Sequence, residues 1–125
     1  MAVSANNVGK IAIKSAQAAR AQRSWFGPRV KRAELVAMTS QMAIMLRAGV
    51  DMGTALESLV RQCTSPALQP ILQEVHGSVL SGNSVSESMA KYGHVFEATF
   101  VASVAAGEAS GRLAEVLAQL AELLR

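Results

Sequence analysis

Along most of this chain apolar residues return every three or four positions, and each such run stops at a glycine or a proline-containing turn. That periodicity is the signature of amphipathic helices. Leu35, Met38, Met42, Met45 and Leu46 share one face of a first helix, and Gly49 ends it, because glycine accepts the left-handed turn that closes a helix. Asp51 is a cap for a second helix, whose stripe is Met52, Ala55, Leu56, Leu59, Val60 and Cys63. Ser65-Pro66 starts a third helix with Leu68, Ile71, Leu72, Val75 and Val79 on its face; Pro70 falls in its first turn, and Gly82 ends it. Ser84 caps a short fourth helix, with Glu87 three residues on as in a capping box, Val85 and Met89 on its apolar face and Gly93 closing it. A fifth helix is expected from about Glu97 to Ala109, burying Phe100, Val101, Val104 and Ala105. A sixth starts near Arg112 and carries Leu113, Val116, Leu117, Leu120, Ala121 and Leu124 on one side.

Two of these turns share a grammar. Gly49, Asp51, Met52 and Leu56 have the spacing of Gly82, Ser84, Val85 and Met89. Short, glycine-containing turns between helices of about 9–15 residues, roughly 14–22 Å long at 1.5 Å per residue, predict an all-α fold: an antiparallel bundle of about six helices. Half of the residues are hydrophobic but only 4% are aromatic, so the core must be built from Ala, Leu, Val and Met, which suit close helix packing. No β pattern competes.

Charge divides the chain. Residues 1–32 hold Lys10, Lys14, Arg20, Arg23, Arg29, Lys31 and Arg32 and no acid, whereas residues 33–125 hold all nine carboxylates and the other five bases. The first segment reads as a basic, flexible arm with one stretch, Val8 to Ala21, able to turn helical, and the second as a mildly acidic bundle domain. In the arm, Trp25-Phe26 sits among Arg20, Arg23, Arg29, Lys31 and Arg32. Three roles fit that cluster: a solvated linker, a contact to an anionic membrane or partner surface, or a contact to nucleic acid.

Chemistry-bearing constellations are missing. His76, His94 and Cys63 have no metal-ligand spacing. Gly107-Glu108-Ala109-Ser110-Gly111 lacks the lysine and preceding strand of a phosphate loop. The acids are spread singly, and a lone cysteine allows no internal disulfide, in keeping with a reducing compartment. No enzyme, cofactor or metal site is expected. No apolar run reaches the length of a membrane span, and the helical pattern continues to Leu123-Leu124-Arg125 without a stop signal, so a longer natural polypeptide is expected.

Three segments, with Val30-Lys31-Arg32 leading into the first and Ala55-Leu56 following it, together carry a resemblance. Met38-Thr39-Ser40-Gln41-Met42-Ala43-Ile44-Met45-Leu46-Arg47-Ala48-Gly49-Val50 is the first; the Val79-x-x-Gly82-x-Ser84-Val85-Ser86-Glu87 turn is the second; Ala106-Gly107-Glu108-Ala109-Ser110-Gly111-Arg112-Leu113 is the third and most specific. Over about residues 31–125 the chain resembles the cytoplasmic domain of the type II secretion system F family, which includes the PilC-like proteins of type IV pilus assembly. It departs from the family pattern at Met38 (usually Phe), at Asp51 (commonly Pro) and across Lys91-Tyr92-Gly93-His94-Val95-Phe96.

The resemblance implies a non-catalytic six-helix scaffold on the cytoplasmic face of the bacterial inner membrane. It would link the assembly ATPase to other inner-membrane secretion or pilus components, with a membrane helix following residue 125. A homodimer is plausible for such a bundle; a helical nucleic-acid-binding domain using the basic arm is the alternative, disfavoured by the acidic bundle. Gly49, Gly82, Gly107, Glu108, Ser110 and Gly111 stand as structural turn or motif residues, and Arg23, Trp25, Phe26, Arg29, Lys31 and Arg32 as membrane or partner contacts. Glu108 has two readings, a carboxylate accepting backbone N–H bonds at the start of the sixth helix or a contact to a partner.

Overall fold

The computed structural model describes residues 28–125. Among these residues six helices follow one another: α1 Arg32–Arg47, α2 Met52–Gln62, α3 Leu68–Leu80, α4 Val85–Ala90, α5 Ala98–Ser110 and α6 Leu113–Leu124. No strand occurs among the described residues. The region from Val8 to Ala21 lies outside them.

Local chemistry explains where most helices begin. Asp51 accepts the N–H of Thr54 at 3.1 Å and its hydroxyl at 2.7 Å, capping α2. Ser84 Oγ accepts the N–H of Glu87 at 3.1 Å, capping α4. At α1, Glu34 reaches back to the N–H of Lys31 at 2.9 Å. Ser65 Oγ accepts the N–H of Leu68 at 3.1 Å, and its carbonyl accepts that of Gln69 at 3.0 Å. Pro70 therefore falls just inside α3, where the ring costs the helix little.

The glycine stops share one hydrogen-bond pattern. Gly49, Gly82 and Gly111 have φ of +89°, +101° and +72°. In each case the next residue donates to the carbonyl five positions back: Val50 to Met45, Asn83 to Ser78 and Arg112 to Gly107. This is the Schellman closure, and it needs the left-handed conformation that glycine adopts without strain.

Each helix packs on the next, and α6 returns to close the ring on α1 in the most extensive pairing. The chain thus runs up and down between two ends. One end holds the three glycine turns, joining α1 to α2, α3 to α4 and α5 to α6. The other holds the start of α1, the finish of α6 and the α2–α3 connection. Arg32 Nε donates to the Leu124 carbonyl, which fixes α1 and α6 as antiparallel neighbours.

Met42, Leu56, Leu72, Val75, Met89, Val104 and Leu117 fill the centre. Phe96 joins them from the α4–α5 connection and stacks on Phe100 with ring centroids 5.6 Å apart. Thr39 is also buried, its hydroxyl returned to the Leu35 carbonyl at 2.7 Å. Ala105 departs from expectation. It is exposed, and Gly107 takes the buried place on α5, because α6 crosses α5 near its C-terminal end. The lengths also spread more widely than expected, from 6 residues in α4 to 16 in α1. The first helix starts at Arg32, inside the segment assigned to the arm.

Candidate functional site

The most specific motif falls at the α5–α6 corner. Its carboxylate does not serve α6, the helix that follows it. Glu108 instead turns to α4: Oε2 accepts the N–H of Val85 at 2.9 Å and Oε1 that of Ser86 at 3.0 Å. These are the first two residues of α4, and Ser84 Oγ takes the N–H of the third. The otherwise unpartnered donors of that helix start are thereby satisfied, two of them by a charge that also complements the positive helix end. A six-residue helix has little stability of its own, so its placement depends on this cross-helix brace.

A serine cluster continues the brace into α3. Ser88 Oγ donates to Ser78 Oγ at 2.7 Å, Asn83 Nδ2 donates to the same hydroxyl at 3.1 Å, and Ser84 and Ser86 hydroxyls lie 3.2 Å apart. Three helices, α3, α4 and α5, meet in one polar network. Sequence reasoning quoted Ser86 within a motif but did not single out Ser78 or Ser88; the signal for Ser88 was the polar run Ser81–Ser88, which carries four serines and an asparagine in eight residues.

Gly107 works by absence. A Cβ there would stand 3.1 Å from Leu113 Cα, 3.1 Å from Val116 Cγ2 and 3.2 Å from Val116 Cβ. The α5–α6 crossing therefore requires a residue without a side chain. The Gly107 carbonyl accepts the N–H groups of Gly111 and Arg112, and Ser110 Oγ makes a longer contact to it at 3.4 Å. Gly111 reverses the chain. Ser110 itself is exposed. Gly49 and Gly82 stand at the same end of the bundle, in the other two turns.

Of the residues assigned to a membrane or partner contact, Arg23, Trp25 and Phe26 lie outside the described residues. Arg29 and Lys31 precede α1, both exposed, and Arg32 opens it. Arg125 is the counterpart from α6, its Nη2 3.4 Å from Ser40 Oγ and its Nε 3.2 Å from Glu122. Beside this lies an open groove of about 690 Å³ lined by Arg32, Val36, Ala37, Ser40, Leu124 and Arg125 among others. A second groove, about 300 Å³, runs between α1 and the α2–α3 connection past Glu34, Met38, Leu59, Cys63 and Ser65.

Two carboxylates titrate below their ordinary range. The Ser65 hydroxyl, helped by the Lys31 N–H, stabilises the anion of Glu34, and Asp51 is lowered by the hydroxyl and N–H of Thr54. Both are helix-start contacts. Among the described residues no three His, Cys, Asp or Glu side chains converge to hold a metal. No helix there is long and apolar enough to cross a membrane. The arrangement braces helices and presents a charged end.

In sequence the chain is similar to known proteins of one family. The family model for type II secretion system (T2SS), protein F, matches residues 38–125. The chain is 37% identical over 89 residues to the type II secretion system protein F of Aeromonas hydrophila, an alignment covering 71% of this chain and 23% of the relative. It is 33% identical over 110 residues to the protein of the same name from Vibrio cholerae, covering 88% and 27%. It is 37% identical over 98 residues to the type IV pilus assembly protein PilC of Thermus thermophilus, covering 78% and 23%. The chain spans about a quarter of the length of these curated relatives.

Proposed function

Because the chain belongs to the type II secretion system protein F family, we propose that residues 33–125 are a non-catalytic scaffold domain of an inner-membrane platform protein. It serves type II secretion or type IV pilus assembly from the cytoplasmic side and links the assembly ATPase to membrane components. The residues before Arg32, where α1 begins, are its basic arm. The observation that supports this most is the use made of the motif. Gly107, Glu108 and Gly111 engage neighbouring helices and turns, as suits a domain whose product is a rigid surface.

Two measurements test the reading. Immobilised 1–125 should bind the purified assembly ATPase of its own system saturably, and no binding at micromolar concentration would count against the scaffold. In cells, Glu108→Gln in the full-length protein should reduce secretion or pilus assembly in proportion to its loss of melting temperature. An unchanged melting temperature with assembly abolished would instead make Glu108 a partner contact.

A further inference from the structure

We infer that the end of the bundle carrying the start of α1 and the finish of α6 is a docking surface for the anionic headgroups of a phospholipid bilayer, centred on the groove at the α1–α6 seam. This rests on the platform reading for its membrane and goes beyond it in naming the face and the chemistry.

Three observations carry it. First, among the described residues the ionisable side chains lining that groove are Arg32 and Arg125, with Ser40 and Gln41 as neutral hydrogen-bonding groups. The Arg32 contact to the Leu124 carbonyl uses one of the five donors of a guanidinium. Arg125 keeps donors beyond its contacts to Glu122 and Ser40. Second, the rest of the lining is Ala33, Val36, Ala37 and Leu124. Cationic rims over an apolar floor match the boundary between phosphate and acyl chain, where arginine side chains lay their stems on apolar groups and their heads in the polar layer. A nucleic-acid backbone offers nothing to that floor.

Third, the bundle is electrically polarised along its axis. Asp51, Glu87, Glu108 and Glu115 lie towards the glycine-turn end, against Arg47 and Arg112. At the opposite end Arg29, Lys31, Arg32 and Arg125 gather, with Arg61 at the finish of α2, against Glu34, Glu122 and Glu97, the last at the start of α5. Glu34 is turned to the Lys31 N–H and Ser65, leaving Glu122 as the side-chain carboxylate that bears on the groove through Arg125, beside the α-carboxylate that Arg125 carries in the 125-residue chain. Earlier in the sequence, before the described residues, come Lys10, Lys14, Arg20 and Arg23 and no acid. An anionic surface attracts one end of such a molecule and repels the other, which orients as well as binds.

The test uses the 125-residue chain with phosphatidylcholine vesicles, with and without phosphatidylglycerol, in a sedimentation assay. Binding is expected only with phosphatidylglycerol, falling as salt rises. The variant R29Q/K31Q/R125Q leaves the Arg32–Leu124 contact in place. It should keep its melting temperature and weaken binding roughly a hundredfold, at about 1 kcal/mol for each cation near an anionic surface. Glu122→Gln removes the carboxylate beside Arg125 and should tighten binding. K10Q/K14Q/R20Q/R23Q should weaken binding yet leave it sensitive to R29Q/K31Q/R125Q.

Equal binding to both kinds of vesicle overturns the inference. So does wild-type affinity in R29Q/K31Q/R125Q, an unchanged Glu122→Gln, or displacement of the chain from vesicles by duplex DNA at equal phosphate. ATPase binding would survive any of these results, so failure here is distinguishable from failure of the platform reading.

Discussion

The two ends of the bundle are held by different physics. At the glycine-turn end the contacts are short, specific and partly sheltered: Glu108 on two N–H groups of α4, the serine cluster from α3 to α4, and α6 against the bare backbone of Gly107. At the other end exposed charged side chains reach across water-facing grooves, Arg32 to the Leu124 carbonyl and Arg125 to Ser40 and Glu122. The first kind of contact resists substitution because a lost partner leaves donors unsatisfied or forces helices apart. The second kind contributes little to stability, since solvent and salt screen it. One end is therefore a fixed corner, and the other is free to evolve contacts with something outside.

The strongest test of that contrast is Gly107→Val. With a backbone atom, Leu113 Cα, in the way, the helix must shift rather than a side chain, and a loss of about 3 kcal/mol is expected in urea unfolding. Glu108→Ala follows at about 2 kcal/mol, with faster amide exchange at Val85 and Ser86 while the exchange of α2 amides changes less. Glu108→Gln should cost less, since its amide oxygen keeps one acceptor. Gly111→Ala, at φ +72°, should cost about 1 kcal/mol by thermal or chemical unfolding. At the opposite end Arg32→Gln should cost no more than about 0.5 kcal/mol; a loss equal to that of Glu108→Ala would erase the distinction between the ends.

The smallest effect is a pH dependence. Glu34 and Asp51 have lowered pKa values when folded, so as pH falls the unfolded chain takes up protons first. Their stabilisation is complete above the ordinary carboxylate range, about pH 4, and is lost as pH drops through the folded values. Glu34→Gln and Asp51→Asn should each flatten the fall in melting temperature between pH 5 and pH 3, in a range set by those carboxylate values.

Helix positions were legible because their causes are local. Asp51 and Ser84 cap groups three residues away, and the stripe through Leu56, Leu72 and Leu117 repeats within a single helix. Ala105 was misread because α5 is apolar nearly all round: Phe100, Val101, Val104, Ala105 and Ala106 offer no clear face. Which side is covered is then decided by where α6 crosses, at Gly107. Glu108 does accept backbone N–H groups as its structural reading has it, but those of α4 and not of α6, for a related reason. Sequence proximity pointed it at α6, whereas the fold brings α4 to it.

By itself the sequence determined the helical character of the described residues, their approximate helix limits and the division of charge between a basic first segment and an acidic remainder, since periodicity, capping and charge need only neighbours within a turn. The tertiary structure alone decided that the Glu108 carboxylate meets N–H groups 22 and 23 residues upstream and that Arg32 meets a carbonyl 92 residues downstream. Contacts at such separations exist only after packing has chosen which faces touch, and no local preference encodes that choice.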